Sequence, residues 1–149
     1  MNPTRPFQSP LIAALLTGLL VSDVFAAAGE TPDFAFGAYQ RGRYRDAFSE
    51  ATKRVEKDHG DAAAMALLGE LTGDGLGVAP DLQKAAEWFE LAAAGGDRNA
   101  AYALAMMALE GRGVPKDKER AKSLLQQAAD AGQPSAAYNL GLLAFDEGT

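Results

Sequence analysis

Residues 62–97 read AAAMALLGELTGDGLGVAPDLQKAAEWFELAAAGGD, and residues 98–133 read RNAAYALAMMALEGRGVPKDKERAKSLLQQAADAGQ. Laid over each other at an offset of 36, the two stretches share ten identities. The pairs are Ala64/Ala100, Leu68/Leu104, Gly75/Gly111, Gly77/Gly113, Val78/Val114, Asp81/Asp117, Ala85/Ala121, Ala92/Ala128, Ala93/Ala129 and Gly96/Gly132. A third copy opens at Pro134, where Ala136, Tyr138 and Leu140 align with Ala100, Tyr102 and Leu104. It runs to Thr149, about half a unit. Turn residues and small residues recur together, as they do when one supersecondary unit is stacked on copies of itself.

Each unit reads as two helices. Over Ala62–Thr72 and Arg98–Glu110 the apolar residues fall three and four apart, the spacing of an amphipathic helix. The stretches Gly73-Asp74-Gly75-Leu76-Gly77 and Gly111-Arg112-Gly113 then stop the helix, because glycine reaches positive φ without a side-chain clash. Asp81 and Asp117 stand where an N-cap is needed, and their carboxylates also suit the positive end of the dipole. The second helices run to Ala94 and Ala131, with Gly96 and Gly132 just beyond. Alanines at 85, 92 and 93, and again at 121, 128 and 129, let neighbouring helices approach closely; larger residues would overpack the contact. A final helix is expected over Ser135–Asp146. Upstream, Asp33–Arg41 reads as a short helix, Gly42 as a turn and Tyr44–Lys57 as another helix, which makes seven in all. No β-branched run reaches strand length.

The two full units resemble the Sel-1-like repeat, a relative of the tetratricopeptide repeat. In the first unit that family's pattern is matched by Ala64, Leu68, Gly69, Gly75, Gly77, Val78, Asp81, Lys84, Ala85, Trp88, Phe89, Ala92, Ala93 and Gly96. The second unit departs from it at Ala105, Ala108 and Leu124-Leu125, which stand where the family has Gly, Tyr and Trp-Tyr. The spacing Gly42-x-Tyr44-x-x-Ala47 is similar to the turn and second helix of a tetratricopeptide repeat. The resemblance implies an all-α, right-handed superhelical solenoid of stacked antiparallel helix pairs. Its organisation would be a tetratricopeptide-like pair over residues 29–61, repeats over 62–97 and 98–133, and a partial repeat over 134–149. A shorter likeness, Phe36-Gly37-Ala38-Tyr39-Gln40-Arg41-Gly42-Arg43 ahead of such repeats, is to periplasmic regulators of exopolysaccharide synthesis that restrain a sensor kinase.

The amino-terminal stretch reads as an address. Arg5 and the terminus precede an apolar run, Leu11–Val21, of eleven residues. A helix crossing a hydrocarbon core needs about 20. Small residues follow at Ala26-Ala27-Ala28, so residues 1–28 have the three-part layout of a secretory signal peptide, cleaved after Ala26 or Ala28. The expected location is periplasmic or secreted, with no membrane insertion after cleavage.

Composition narrows the chemistry. The 149 residues carry a formal charge of −6, which argues against a nucleic-acid partner, since that needs a basic stripe. With no cysteine and a single histidine, His59, there are no disulfides, thiolate sites or multi-histidine metal sites, and no cofactor is expected. Alanine supplies 31 residues against 12 aromatics, which suits closely packed helices. The loop Gly73–Gly77 follows a helix and carries an Asp, so it is an inter-helix turn and not a phosphate cradle. A Ser–His–Asp triad would depend on His59, which stands in the polar linker Lys57-Asp58-His59-Gly60-Asp61. Glu87 and Glu90 share a helix face with Lys84 and read as solvated charge. No catalytic residues are assigned.

Residues 41–57 carry +3 while residues 58–149 carry −7. This asymmetry either steers an acidic partner to one end or is an ordinary solvated helix face. In a stack of helical hairpins the first helices line a concave surface. The tetratricopeptide-like likeness puts Ala63, Ala66 and Glu70 there from the first unit. It adds Asn99, Tyr102, Met106 and Glu110 from the second, Ser135, Tyr138 and Leu142 from the third, and Phe36, Tyr39 and Gln40 from upstream. Tyrosine and methionine suit a peptide groove. Alternatively, Tyr102 and Tyr138 pack between adjacent first helices. The expected function is a non-enzymatic adaptor or regulator holding an envelope or secreted protein, such as a sensor kinase or a cell-wall or polysaccharide factor. The rival readings are an envelope hydrolase with the groove as active site and a fragment of a longer repeat protein. The last helix carries Leu140, Leu142, Leu143 and Phe145 on two sides, so one apolar side should stay uncovered and bind a partner, another copy (self-association) or a lost remainder of the chain.

Overall fold

Seven helices and no strands make up the described residues, 33–146 and 148, of a computed structural model. They are α1 (Phe34–Gln40), α2 (Tyr44–Lys57), α3 (Ala62–Asp74), α4 (Leu82–Ala94), α5 (Arg98–Glu110), α6 (Lys118–Asp130) and α7 (Pro134–Asp146). The expected signal peptide and its cleavage site lie outside the described residues.

Carboxylates begin the helices of both full units. The Asp81 side chain accepts from the Lys84 amide and that of Asp117 from the Arg120 amide, each at 2.9 Å, satisfying a donor that helical bonding leaves over. Asp61 and Asp97 do the same for α3 and α5, accepting from Ala64 at 3.0 Å and from Ala100 at 2.8 Å. Helix α7 starts one residue earlier than expected because Pro134 fits a first turn, where its missing amide hydrogen has no partner to lose.

The helix ends differ slightly from the sequence reading. Helix α3 does not stop at Thr72 but continues through Gly73 and Asp74. The residue that ends it is Gly75, left-handed at φ 68°, as Gly111 ends α5 at φ 73°. Helix α1 is one residue shorter at each end, and α6 stops at Asp130 with Ala131 as its cap.

Each turn then presses on the pair before it. A β-carbon on Gly113 would overlap the Leu82 carbonyl at the start of α4, and one on Gly77 would lie 2.7 Å from the Arg45 amide nitrogen in α2. Both glycines also have positive φ. Two independent constraints exclude a side chain there.

Helices pack on their neighbours in sequence, most extensively within the pairs α3/α4 and α5/α6, and α3 also touches α5. Alanine makes this possible: Ala64, Ala85, Ala92, Ala105, Ala121 and Ala128 are fully buried, and Leu68, Leu71, Leu104 and Leu125 fill the space between them. A β-carbon on Gly69 would lie 2.6 Å from the Phe89 ring, so that glycine is the seat of the phenylalanine. Trp88, half-buried, packs against both core clusters and joins the upstream pair to the repeats. Polar links cross between units as well. Gln127 Nε2 donates to the Ala93 carbonyl at 2.8 Å, and Arg120 pairs with Glu90; within the second unit Arg98 Nη1 donates to the Gly132 carbonyl at 3.2 Å.

Candidate functional site

Three residues expected on the concave surface converge. Glu70 of α3 and Met106 and Glu110 of α5 line one cavity of ≈230 Å³. Their helices are the first helices of successive units, so positions 36 and 40 residues apart come side by side. Phe89, Leu82 and Ala85 of α4, with Ala103 and Met107 of α5, give the cavity apolar walls. Asp74, the last residue of α3, and Arg112, in the turn after α5, also line it. Arg112 Nη1 is 3.3 Å from Glu110 Oε2.

This cavity is acidic, and its chemistry reaches α1. Burial pushes the Glu70 carboxyl above the usual range, and the negative charges of Asp74 and Asp97 add to the effect. A hydrogen bond from the Tyr39 hydroxyl works the other way. Burial likewise raises the Tyr39 hydroxyl, with Glu70 and Asp74 contributing. Tyr39 stacks on Phe36 with ring centroids 6.2 Å apart and meets Tyr44 edge-on at 5.7 Å. Phe36 remains exposed, as does Gln40.

The remaining expected residues are placed apart. Tyr102 is half-buried against the core, and its hydroxyl accepts from Asn139 Nδ2 at 3.2 Å, so it bridges the first helices α5 and α7. Tyr138 does not pack in that way; it is 68% exposed, and Leu142 is 48% exposed. Asn99 and Ser135 are exposed at helix starts, each donating its backbone amide to a nearby side chain, and Ala63 and Ala66 contribute only small surfaces. Phe89, Met107, Asp74, Arg112 and Asn139 are not singled out for this surface by the sequence pattern. The signal available for Asp74 and Arg112 is their place inside the glycine turns that join first to second helices.

Much of the basic cluster is engaged within its own segment and the next. Lys53 Nζ lies 2.7 Å from Glu50, Arg43 lies 3.5 Å from Asp46, and Arg54 pairs with Asp61. His59 is exposed in its linker. Glu87 pairs with Lys84 at 2.7 Å, and Glu90 is held by Arg120. Among the described residues, no three His, Asp or Glu side chains come together as metal ligands, and no helix is long and apolar enough to cross a membrane.

Comparison with known proteins places the chain. The family model described as Sel1 repeat matches residues 62–97, 98–133 and 134–149, more than half of the sequence. A search of curated proteins found no match. Among solved structures, a Sel1 repeat protein from Oxalobacter formigenes is similar over 76% of this chain, with TM-score 0.69 and 24% identity. This chain spans 46% of that protein's length. The Helicobacter pylori cysteine rich protein B is similar over 63% of this chain and 69% of its own, with TM-score 0.59 and 26% identity. A protective antigen of uropathogenic Escherichia coli displaying an SLR fold is similar over 67% of this chain and 21% of its own, with TM-score 0.62 and 29% identity. The Sel1-repeat fold is generally a non-enzymatic scaffold for protein–protein interaction. With the repeat model covering residues 62–149 and the solenoid neighbours agreeing in fold, the chain belongs to the Sel1 repeat family.

Proposed function

We propose that this chain is an exported adaptor or regulator of the cell envelope that holds a segment of a partner protein along its first helices. The observation that carries this reading is the cavity between Glu70 and Met106–Glu110. Its walls are apolar and adaptable, with two methionines, while Glu70, Asp74 and Glu110 outnumber Arg112 around it. A lysine or arginine suits such a site, because its stem lies on Phe89 and Met106 while its charge meets the carboxylates. Phe36 and Tyr39 extend the surface upstream, and Tyr138 and Leu142 extend it downstream. The family likeness and the signal-peptide layout of residues 1–28 support an envelope location; Sel1-repeat proteins are often secreted or periplasmic.

The test is crosslinking capture from envelope extract with the mature protein and with a Glu70→Lys/Glu110→Lys variant. A partner captured by the parent and lost with the variant, which melts no lower than the parent, is the expected result. Equal capture by both proteins would move binding off this cavity. Amino-terminal sequencing of the exported protein should find Ala27 or Gly29 first, and intact Met1 protein in the membrane fraction would refute export by cleavage.

A further inference from the structure

The acidic cavity uses residues at which the first repeat departs from the second. Gly73 is part of its lining, and a β-carbon there would lie 3.3 Å from that of Ala85, which also lines it. At the same place in the second repeat stands Leu109, half-buried and packed on the core. Gly73 lies inside α3 and does not have positive φ, so the backbone does not require a glycine. Glycine weakens a helix relative to alanine. What it supplies here is room.

Charge departs from the repeat on the same turn of helix. Asp74 and Glu110 are equivalent, so both first helices end on a carboxylate. Glu70, by contrast, stands where the second repeat has Met106. It adds a carboxylate one turn before Asp74, on the same side of α3. Arg112 is engaged by Glu110, whereas Glu70 and Asp74 have no cationic partner among the described residues. The charges acting on Glu70 are those of Asp74 and Asp97, both repulsive, so an incoming cation relieves the group. Phe89, where the second repeat has Leu125, gives the cavity a ring for a wall. Three departures thus supply space, charge and a flat apolar face together.

We infer that the cavity takes one arginine side chain of the partner protein and that Gly73 is the residue that admits it. The inference rests on the reading of this cavity as the place where a partner is held. The guanidinium lies against the Phe89 ring and turns its donor edges to Glu70 and Asp74, with Glu110 on the α5 side. A lysine has similar reach, but its ammonium has no flat face for the ring and no paired donors for two carboxylates. The second repeat, with Leu109, Met106 and Leu125 at these places, lacks the combination.

The test uses the full chain, isotope-labelled at its methionine methyl groups, because Met106 and Met107 line the cavity and Met65 does not. The probes are the acetylated amides of arginine, lysine and citrulline, the last having arginine's shape without its charge. The arginine probe should shift the Met106 and Met107 signals saturably and bind about tenfold or more tightly than the citrulline probe, with lysine between them. Gly73→Leu, which gives the first repeat the second's residue, should abolish the response. Gly73→Ala should weaken it severalfold, and it decides the matter if the leucine variant melts below the parent. Binding that survives these substitutions, or that lysine matches, overturns the inference. If the arginine probe moves neither signal while Glu70→Lys/Glu110→Lys still loses the captured partner, this inference fails and the binding reading stands. If that variant also captures as the parent does, both fail.

Discussion

The guanidinium of Arg54 grips both carboxylate oxygens of Asp61, Nε to Oδ2 at 2.8 Å and Nη2 to Oδ1 at 2.9 Å. Asp61 Oδ1 also caps α3 through the Ala64 amide. One carboxylate thus ends the linker, starts the first repeat and ties it to α2. Burial raises the Asp61 carboxyl, but the Arg54 hydrogen bonds, the Ala64 amide and the Arg54 charge outweigh it and hold the group below the usual range. A depressed carboxyl stabilises the fold above its ordinary titration range, and that stability is lost as pH falls through the folded value. Asp61→Ala should cost about 1–2 kcal/mol at neutral pH, from the cap alone. Asp61→Asn should keep the cap and lose less. Urea melts at several pH values read both, and the gap between parent and Asp61→Asn should shrink as acid is added.

Glu70 should show the opposite sign. Its folded form holds a proton more tightly than the unfolded chain does, so its contribution is fully present at low pH and is lost as pH rises through the raised folded value. Glu70→Gln should therefore melt higher than the parent at neutral pH and match it in acid. A Glu70→Gln protein that melts lower at neutral pH would show that the Tyr39 hydrogen bond dominates.

Gly111 and Gly113 separate two demands on a turn. Alanine at either position must take a left-handed backbone, which costs roughly 1–3 kcal/mol. At Gly111 the nearest atoms to its methyl are those of Lys116, 3.2 Å or more away, whereas at Gly113 it strikes the Leu82 carbonyl. Gly113→Ala should consequently destabilise the protein clearly more than Gly111→Ala, as measured by thermal melts of the pair.

Thr72 is buried and its hydroxyl has no hydrogen-bond partner, at a position where the later repeats have Ala108 and Ala144. Removing an unsatisfied buried hydroxyl at constant volume should help. Thr72→Val is expected to raise stability by about 1 kcal/mol in a denaturant melt.

The helix pairs and their turns are legible because the 36-residue offset preserves Gly75/Gly111 and the alanines that set helix spacing. Less legible is the end of α3. Gly73 reads as the start of the turn, yet a glycine lying against Ala85 is tolerated inside the helix when Gly75 supplies the left-handed stop. The caps Asp61 and Asp97 escape the pattern because each falls at the seam of a unit, where the third copy has Gln133 and the match breaks. Glu70, Met106 and Glu110 can be grouped because the period sets them side by side. Phe89 cannot, since it comes from the second helix, and only the crossing of α4 against α3 decides which of its residues reach the cavity. The Tyr102–Asn139 bridge depends on the orientation of a single amide across two helices, which no spacing encodes.

Because every helix is packed mainly by those beside it in sequence, the repeats have no common centre whose loss unfolds everything at once. Opening should begin at α7, which is covered on one side, and move inward. Amide exchange would then be fastest in α7 and slowest in α3–α5, ordered by distance from an end instead of depth in a core.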